Sequence, residues 1–492
     1  MKVAVIGSGI SGLAAAWLMR KHADVRVYEK NGYAGGHTNT IQVPGGPAVD
    51  TGFIVFNERN YPEFTAMLRH LKVASQASDM SFSASIGGGK LEYAGDNLNT
   101  LFAQRWNLFD RSHWRMLLDI TRFNRDAKRA LTSGLTPDVT LGEFIMQGRY
   151  GDELSRRYLL PMAAAIWSCP VGAMLKFPAA SFLKFFENHG LLDLMDRPRW
   201  RTVTGGSREY VKKLLLDLGG RVHLDTAVTQ VRRASEGVYV QESSGAEVRY
   251  DRLVMASHGD ESLALLTDAT EEERGILGAF QYQENRAVLH TDASLMPRRK
   301  KAWASWNYLA ALGLPGFAAC GERPARGSSH AMSGRQDAAL DCERSRMRSD
   351  TGGAGHGPRD GALDDSDKED RVSVTYWMNR LQNLSGERDY FVSLNPLTEP
   401  KPGSVVYDTL YMHPVFTREA MQAQERLAAI QGRDRIWFCG AWSGYGFHED
   451  GLRSAVKAVQ FMGYPIPWHA GSAASPDEAE APLWANPLAE ER

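Results

Sequence analysis

A strand, three glycines and a helix at the start of the chain restrict its fold more than any other feature. Lys2–Ile6 reads as a short buried strand, Gly7, Gly9 and Gly12 follow in the pattern GxGxxG, and LAAAWLMRK reads as a helix. A second strand, VRVYE, ends on Glu29. This is the context that a dinucleotide-binding fingerprint requires. Gly7 permits the tight turn, Gly9 lets the backbone approach a pyrophosphate with no Cβ in the way, and Gly12 lets the helix pack closely on the sheet. The helix N-terminus, with Ile10 and Ser11, faces the phosphates. Glu29, about 20 residues on, is placed to accept hydrogen bonds from a ribose. The same stretch has the lysine, apolar run and small residues of a signal peptide, but the glycines interrupt that run on the fingerprint spacing.

The residues after Glu29 narrow the nucleotide. The chain continues KNGYAGGHTNT, from Lys30, with Gly35–Gly36 followed by His37 and Thr38. Two adjacent residues without Cβ atoms let a backbone lie against a planar ring or a ribityl chain. The acid, the GG pair and the small hydroxyl residue, with Val49-Asp50-Thr51-Gly52 further on, resemble the flavin-containing amine oxidase and phytoene desaturase superfamily. That resemblance implies FAD, with Lys30, Gly35, Gly36, His37 and Thr38 among its contacts.

The other end of the chain fits the same reading. IWFCG, 436–440, reads as a buried strand, and from Gly451 the sequence GLRSAVKAVQFM reads as a helix with Leu452, Ala455 and Val459 on one face. This strand–loop–helix resembles the last FAD-binding segment of the superfamily, which implies contacts at Gly440, Gly451 and Leu452. Between them lies FCGAWSGYGFHEDG, 438–451. His448, Glu449 and Asp450 are consecutive and do not converge on one metal ion, and acids suit a helix start. A lid over the cofactor is preferred to acid/base catalysis by His448, with Tyr445 and Phe447 as an aromatic wall. Cys439 reads as a small buried strand residue rather than a covalent flavin link. In the middle of the chain, the strand after TGGSREYVKKLLLDLGG is, by the resemblance, the one that lays its backbone against adenine, at Val228.

The expected fold class is therefore α/β: a Rossmann-like FAD-binding domain of the glutathione reductase type with an inserted α+β substrate domain. The FAD-binding domain is discontinuous, 1–80, 202–262 and 403–466, and the substrate domain takes 81–201 and 263–402. At 492 residues the chain is long enough for both cores. Residues 315–371 lack periodicity and are poor in large apolar side chains, and 468–492 read likewise, so both are expected to be disordered.

A net charge of −1 leaves no electrostatic footprint for nucleic acid. Cys169, Cys320, Cys342 and Cys439 are scattered without a CxxC pair, so no zinc site or disulfide framework is indicated and a cytoplasmic location is expected. LLPMAAAIWSCPVGAML, 159–175, is interrupted by Pro161 and Pro170 and is a poor membrane span.

On the substrate side, NRAVLHTD (285–292), WASWNYL (303–309) and VSVTYWMN (372–379) read as strands. Alternation puts Trp303, Ser305 and Asn307 on one face of the second and Trp306 with Tyr308 on the other. One face roofs the flavin, and sequence leaves open which. MPRRKK, 296–301, reads as a solvated turn, with contact to anionic lipid or phosphate, and so to a membrane periphery, as the alternative. Amine oxidases of the superfamily place a lysine near the flavin, and NRAVLHTD offers Asn285 and Arg286 instead. LLPMAAAIWSCP, NHGLL, LHTD, SWNY, TYWMN and GFHEDGL resemble a bacterial branch of FAD-dependent oxidoreductases similar to the N-terminal region of some plant cyclopropane fatty acid synthases. That resemblance implies hydride transfer from a fatty-acyl or other apolar lipid substrate to FAD. It also implies a lipid-modifying methyltransferase or cyclopropane synthase as partner. Amine oxidation, double-bond isomerisation without net redox change, and an FAD-stabilised partner protein without turnover are the competing expectations. No catalytic side chain and no metal ligand is assigned.

Overall fold

The computed structural model describes residues 1–134, 136, 139–167, 174–193, 198–310 and 372–469. The stretch expected to be a disordered insertion and most of the tail lie outside them. So does the middle of the 159–175 segment, whose first half is a helix, Leu160–Trp167.

A five-stranded parallel sheet forms the first layer. Its order is Val222–His223, Asp24–Tyr28, Lys2–Ile6, Arg252–Met255, Ile436–Phe438. The chain leaves Lys2–Ile6 toward one neighbour and returns much later to the other. The sheet thus has its topological switch point at the C-terminal end of that strand, where parallel sheets of this class bind ligands. The helix Ile10–Met19 is buried along its whole length. Its run of alanines lets it sit between the sheet and two further helices, Arg208–Leu218 and His448–Phe461. A three-stranded antiparallel sheet, Val228–Ala234, Gly237–Glu242 and Glu247–Tyr250, covers the other face.

The second domain is built on a seven-stranded sheet. Its order is Val405–Val415, Gln281–His290, Phe391–Leu394, Val372–Trp377, Trp306–Ala310, Phe82–Ile86, Leu91–Ala94. Helices from 98–188 pack on the end that carries Ala84, Tyr308 and Ala310. Two expected boundaries shift. Val405–Val415 pairs antiparallel with Gln281–His290 along its whole length, so it belongs to the substrate sheet rather than to the FAD-binding side of 403. Leu266, Ile276, Leu277 and Phe280 join the core of the Rossmann domain, so that core extends past 262. At the far end, Trp468 stacks on Trp17 and donates to Glu63 Oε2 at 2.6 Å, so the ordered chain extends past the expected boundary at 468.

The faces of the substrate sheet also sort themselves. Trp306 and Tyr376 point toward the Rossmann domain. The opposite face carries a buried polar ladder: Ser83 donates to Asn307, Asn307 donates to the Thr375 carbonyl, and Thr375, Ser393 and His290 follow at 2.7 and 2.8 Å. Trp303 and Trp377 lie on that opposite face with Phe391, away from the cavity.

Candidate active site

A cavity of about 900 Å³ runs from the switch point of the parallel sheet to the underside of the seven-stranded sheet. At the first end the glycines divide the labour. A Cβ on Gly12 would stand 1.9 Å from the Gly7 carbonyl oxygen, so this glycine is required by helix–strand contact. Gly7 has φ +101°, and a Cβ there would strike the Ala256 carbonyl. Gly9 has nothing within 4 Å of where a Cβ would be. It borders open space in front of the helix N-terminus, the position a phosphate needs. Gly36 closes on it, with a Cβ position only 3.1 Å from the Gly9 Cα. Gly7, Gly9, Ile10, Ser11, Gly35, Gly36, His37, Lys30 and Val228 all line the cavity.

Glu29 is buried here and fully engaged. Its carboxylate accepts from Ser8 N–H at 3.0 Å and Ser8 Oγ at 2.6 Å, and from Asn31 N–H and Nδ2 at 2.9 Å each. Glu29 would hold the ribose of a bound FAD, whose hydroxyl would take the place of one of those side-chain donors. Lys30 pairs with Glu261 at 2.7 Å, which raises its pKa.

The remaining expected contacts sit around the lid. Phe447 and His448 line the cavity and Tyr445 does not. His448 stacks on Phe53 at 3.8 Å between centroids, and its Nε2 is 2.8 Å from the Tyr210 hydroxyl, which in turn is 2.5 Å from Thr38 Oγ1. Thr38 therefore positions the lid from behind rather than facing the cavity. Gly440 lines the cavity. Gly451 and Leu452 do not: a Cβ on Gly451 would meet Ile10 at 2.9 Å, its carbonyl accepts from Ser11 Oγ at 2.8 Å, and Leu452 is a core residue. They lock the two helices whose N-termini border the site. Glu449 turns away and caps the helix Pro62–His70, accepting from Glu63 N–H and Phe64 N–H at 2.9 Å each. Burial pushes its pKa up to about 8. Asp50 of the VDTG motif accepts from Ser207 N–H at 2.9 Å and Gln382 Nε2 at 2.9 Å, and burial pushes it up to about 6. Cys439 is enclosed in the core, where burial pushes its thiol up to about 12.

Around His37, which the sequence pointed to, stands a group of side chains that sequence reasoning missed: His258, Tyr282, Tyr411 and His413. His37 stacks on Tyr411 at 5.0 Å and lies 5.4 Å from the ring of His413. His258 stacks on Tyr282 at 4.3 Å. Burial, with the neighbouring histidines, lowers His37 to about 3, and burial lowers His413 to about 4, so both are neutral. The His37 Nε2 is buried with no hydrogen-bond partner in the protein. The signal for Tyr407, Thr409, Tyr411 and His413 was the alternation in VVYDTLYMHPV, which puts all four on one face.

The far end is apolar. Met80, Phe82, Met162, Ile166, Phe185, Leu191, Trp200, Trp306, Tyr376 and Leu394 wall it, with His189 held neutral by burial, its pKa lowered to about 4. Among the described lining residues the only charged ones are Glu29, Lys30 and Glu261, all at the Rossmann end. Asn285 and Arg286 line nothing here. Asn285 bonds to Asn395 at 2.7 Å, and Arg286 pairs with Asp408 and Glu399 at the surface.

Residues 10–462 match the family model described as flavin containing amine oxidoreductase. The chain belongs to this family. It has the two-domain, FAD-binding fold of that family, and the residues present fit the cofactor: an open cradle at Gly9, a second glycine closing on it, and a buried nitrogen at His37 with no hydrogen-bond partner in the protein. When bound, FAD would supply the two-electron acceptor; the chain supplies the cradle and a cavity with an apolar far end. The chain is 28% identical over 256 residues to "Putative flavin-containing monoamine oxidase AofH" of Mycobacterium tuberculosis, an alignment covering 49% of this chain and 54% of the relative. It thus spans about half the length of the curated relatives it matches. Among solved structures it is similar to a CLA-producing fatty acid isomerase from P. acnes, with a TM-score of 0.59 at 14% identity, covering 93% of this chain and 98% of the other. It is also similar to a putrescine oxidase variant, with a TM-score of 0.60 at 14% identity, covering 94% and 99%. At these identities the likeness shows the fold.

Proposed function

We propose that this protein oxidises an amine with an apolar body, taken into the cavity in its neutral form. The observation that carries the reading is the charge-free far end of the cavity. An ammonium entering it gains no carboxylate and loses its water, so burial lowers its pKa as it lowers that of His189. A neutral amine keeps the nitrogen lone pair that assists release of hydride from the adjacent carbon. The proton is left in bulk water, so no side-chain base is needed. Aromatic faces at Trp306, Tyr376 and Trp200 accept the apolar body and favour any residual positive charge. The names of the relatives add weight, since a monoamine oxidase and a putrescine oxidase are among them. This replaces the acyl-lipid substrate as the leading reading, because the missing lysine counted against amines only on the premise that the site needs one.

Oxidation of a fatty-acyl chain stays as a second reading. It is favoured by the same apolar walls, which distinguish poorly between an alkylamine and an acyl chain, and it would make a lipid-modifying methyltransferase or cyclopropane synthase the natural partner. Anaerobic mixing of the yellow protein with a panel of benzylamine, long-chain alkylamines and free fatty acids tests both. Bleaching by an amine alone supports the proposal; bleaching by fatty acids alone supports the second reading. Turnover of an unsaturated fatty acid without bleaching at any stage points to isomerisation.

A further inference from the structure

We infer that the surface formed by residues 98–118 and the basic turn 298–301 is a docking face for an anionic membrane. The segment after the strand Leu91–Ala94 turns over at Arg105–Leu108 and enters the helix Arg111–Ser133. Along it, Trp106 is 84% exposed, Phe109 82%, Leu98 74% and Leu118 67%. Trp114, half-exposed, ties them together: its indole N–H donates to the Leu108 carbonyl at 2.9 Å, its ring lies against Phe102, and Leu118 is one helical turn further on. The inner face of the same helix, Met116, Phe123 and Ala127, is fully buried, so the outward aromatics are not a misplaced core.

Charge decides the occupant. The turn Lys300–Ala302 packs against the helix Leu98–Leu101 and brings Lys300 and Lys301, both exposed, to the segment that carries Leu98, while Arg298, also exposed, lies over Gly89 just before the strand Leu91–Ala94. The nearby acids are already engaged, Glu92 with Arg299 of this turn, which leaves Arg298, Lys300 and Lys301 as its outward charges. Glu92, fully buried, accepts from the Arg298 N–H at 2.7 Å and from Arg299 Nη1 at 2.9 Å. Asp110 pairs with Arg157 and Asp96 with Arg380. Exposed Trp and Phe set among cations suit the headgroup level of a bilayer, where indole rings settle and each basic residue gains from anionic lipid. Among the described residues no helix is long and apolar enough to cross a membrane, so the contact is peripheral. The inference stands apart from the choice of substrate.

The test is flotation of the full-length holoprotein with phosphatidylcholine vesicles, with and without phosphatidylglycerol. Binding to the anionic vesicles is expected, weakening as salt rises. The W106A/F109A variant should lose it by about tenfold or more while keeping its flavin spectrum and melting temperature. The K300E/K301E variant should lose the preference for phosphatidylglycerol by roughly tenfold. Absence of binding to either vesicle overturns the inference, as does undiminished binding by W106A/F109A. A dimer in solution that W106A/F109A converts to monomer, with no vesicle binding by either, assigns the face to a second copy of the chain instead.

Discussion

At the scale of the residue, the three glycines of the fingerprint make different demands, and they are separable by mutation. A side chain on Gly9 meets only empty space in the protein, whereas one on Gly12 meets backbone at 1.9 Å. Gly9→Val should therefore give a folded, colourless protein with a melting temperature close to that of the wild-type apoprotein. Gly12→Ala should lower stability by about 2–3 kcal/mol through overpacking, with flavin loss secondary. Flavin content by absorbance and unfolding by calorimetry distinguish the two. Glu449 offers a second test. Its pKa in the fold is about 8 against an ordinary value of 4.5, so the protonated form is the one the fold favours. Its contribution to stability is complete below about 4.5 and is lost as pH rises through about 8. Glu449→Gln stays neutral, so its melting temperature should fall less than that of the wild type between about pH 5 and about pH 9. An identical slope in the two proteins would show that the carboxyl does not titrate there.

At the scale of the element, the sequence was legible where one period dominated. Lys2–Ile6 into the helix Ile10–Met19, and Ile436–Phe438 into the helix from His448, were readable because buried strands and glycine spacings are local signals. The strand Val405–Val415 shows the same alternation, but its side of the domain boundary depends on a partner more than a hundred residues away, Gln281–His290, and pairing partners leave no local mark. The two faces of Trp306–Ala310 were also separated by period, while which face meets the cavity required the sheet's neighbours. Trp306 lines the cavity and Trp303 does not. Trp306→Ala should raise the apparent Kd of a bleaching substrate by about tenfold. Trp303→Ala should leave it unchanged and lower the melting temperature instead, since it empties a core cluster. Equal effects of the two on substrate binding would mean that the roof is assigned to the wrong face.

At the scale of the whole molecule, the two ends of the chain and its middle meet in one cavity whose halves differ in character. The Rossmann end holds all three charged lining residues among those described, each already paired or hydrogen-bonded, and the far end holds none. The cofactor half could be read from sequence because glycine spacing carries its chemistry. The substrate half could not, because its property is an absence of charge over walls drawn from distant segments. That absence makes the central claim measurable. The rate of anaerobic flavin reduction by benzylamine, followed at limiting and at saturating amine across pH, separates substrate protonation from chemistry on the enzyme. If the cavity takes the neutral amine, the limiting-substrate constant should rise about tenfold per pH unit below the amine's own pKa and level off above it. The saturating rate should change little. A limiting constant that falls as the amine is deprotonated, or a flavin that no amine reduces at any pH, would contradict it.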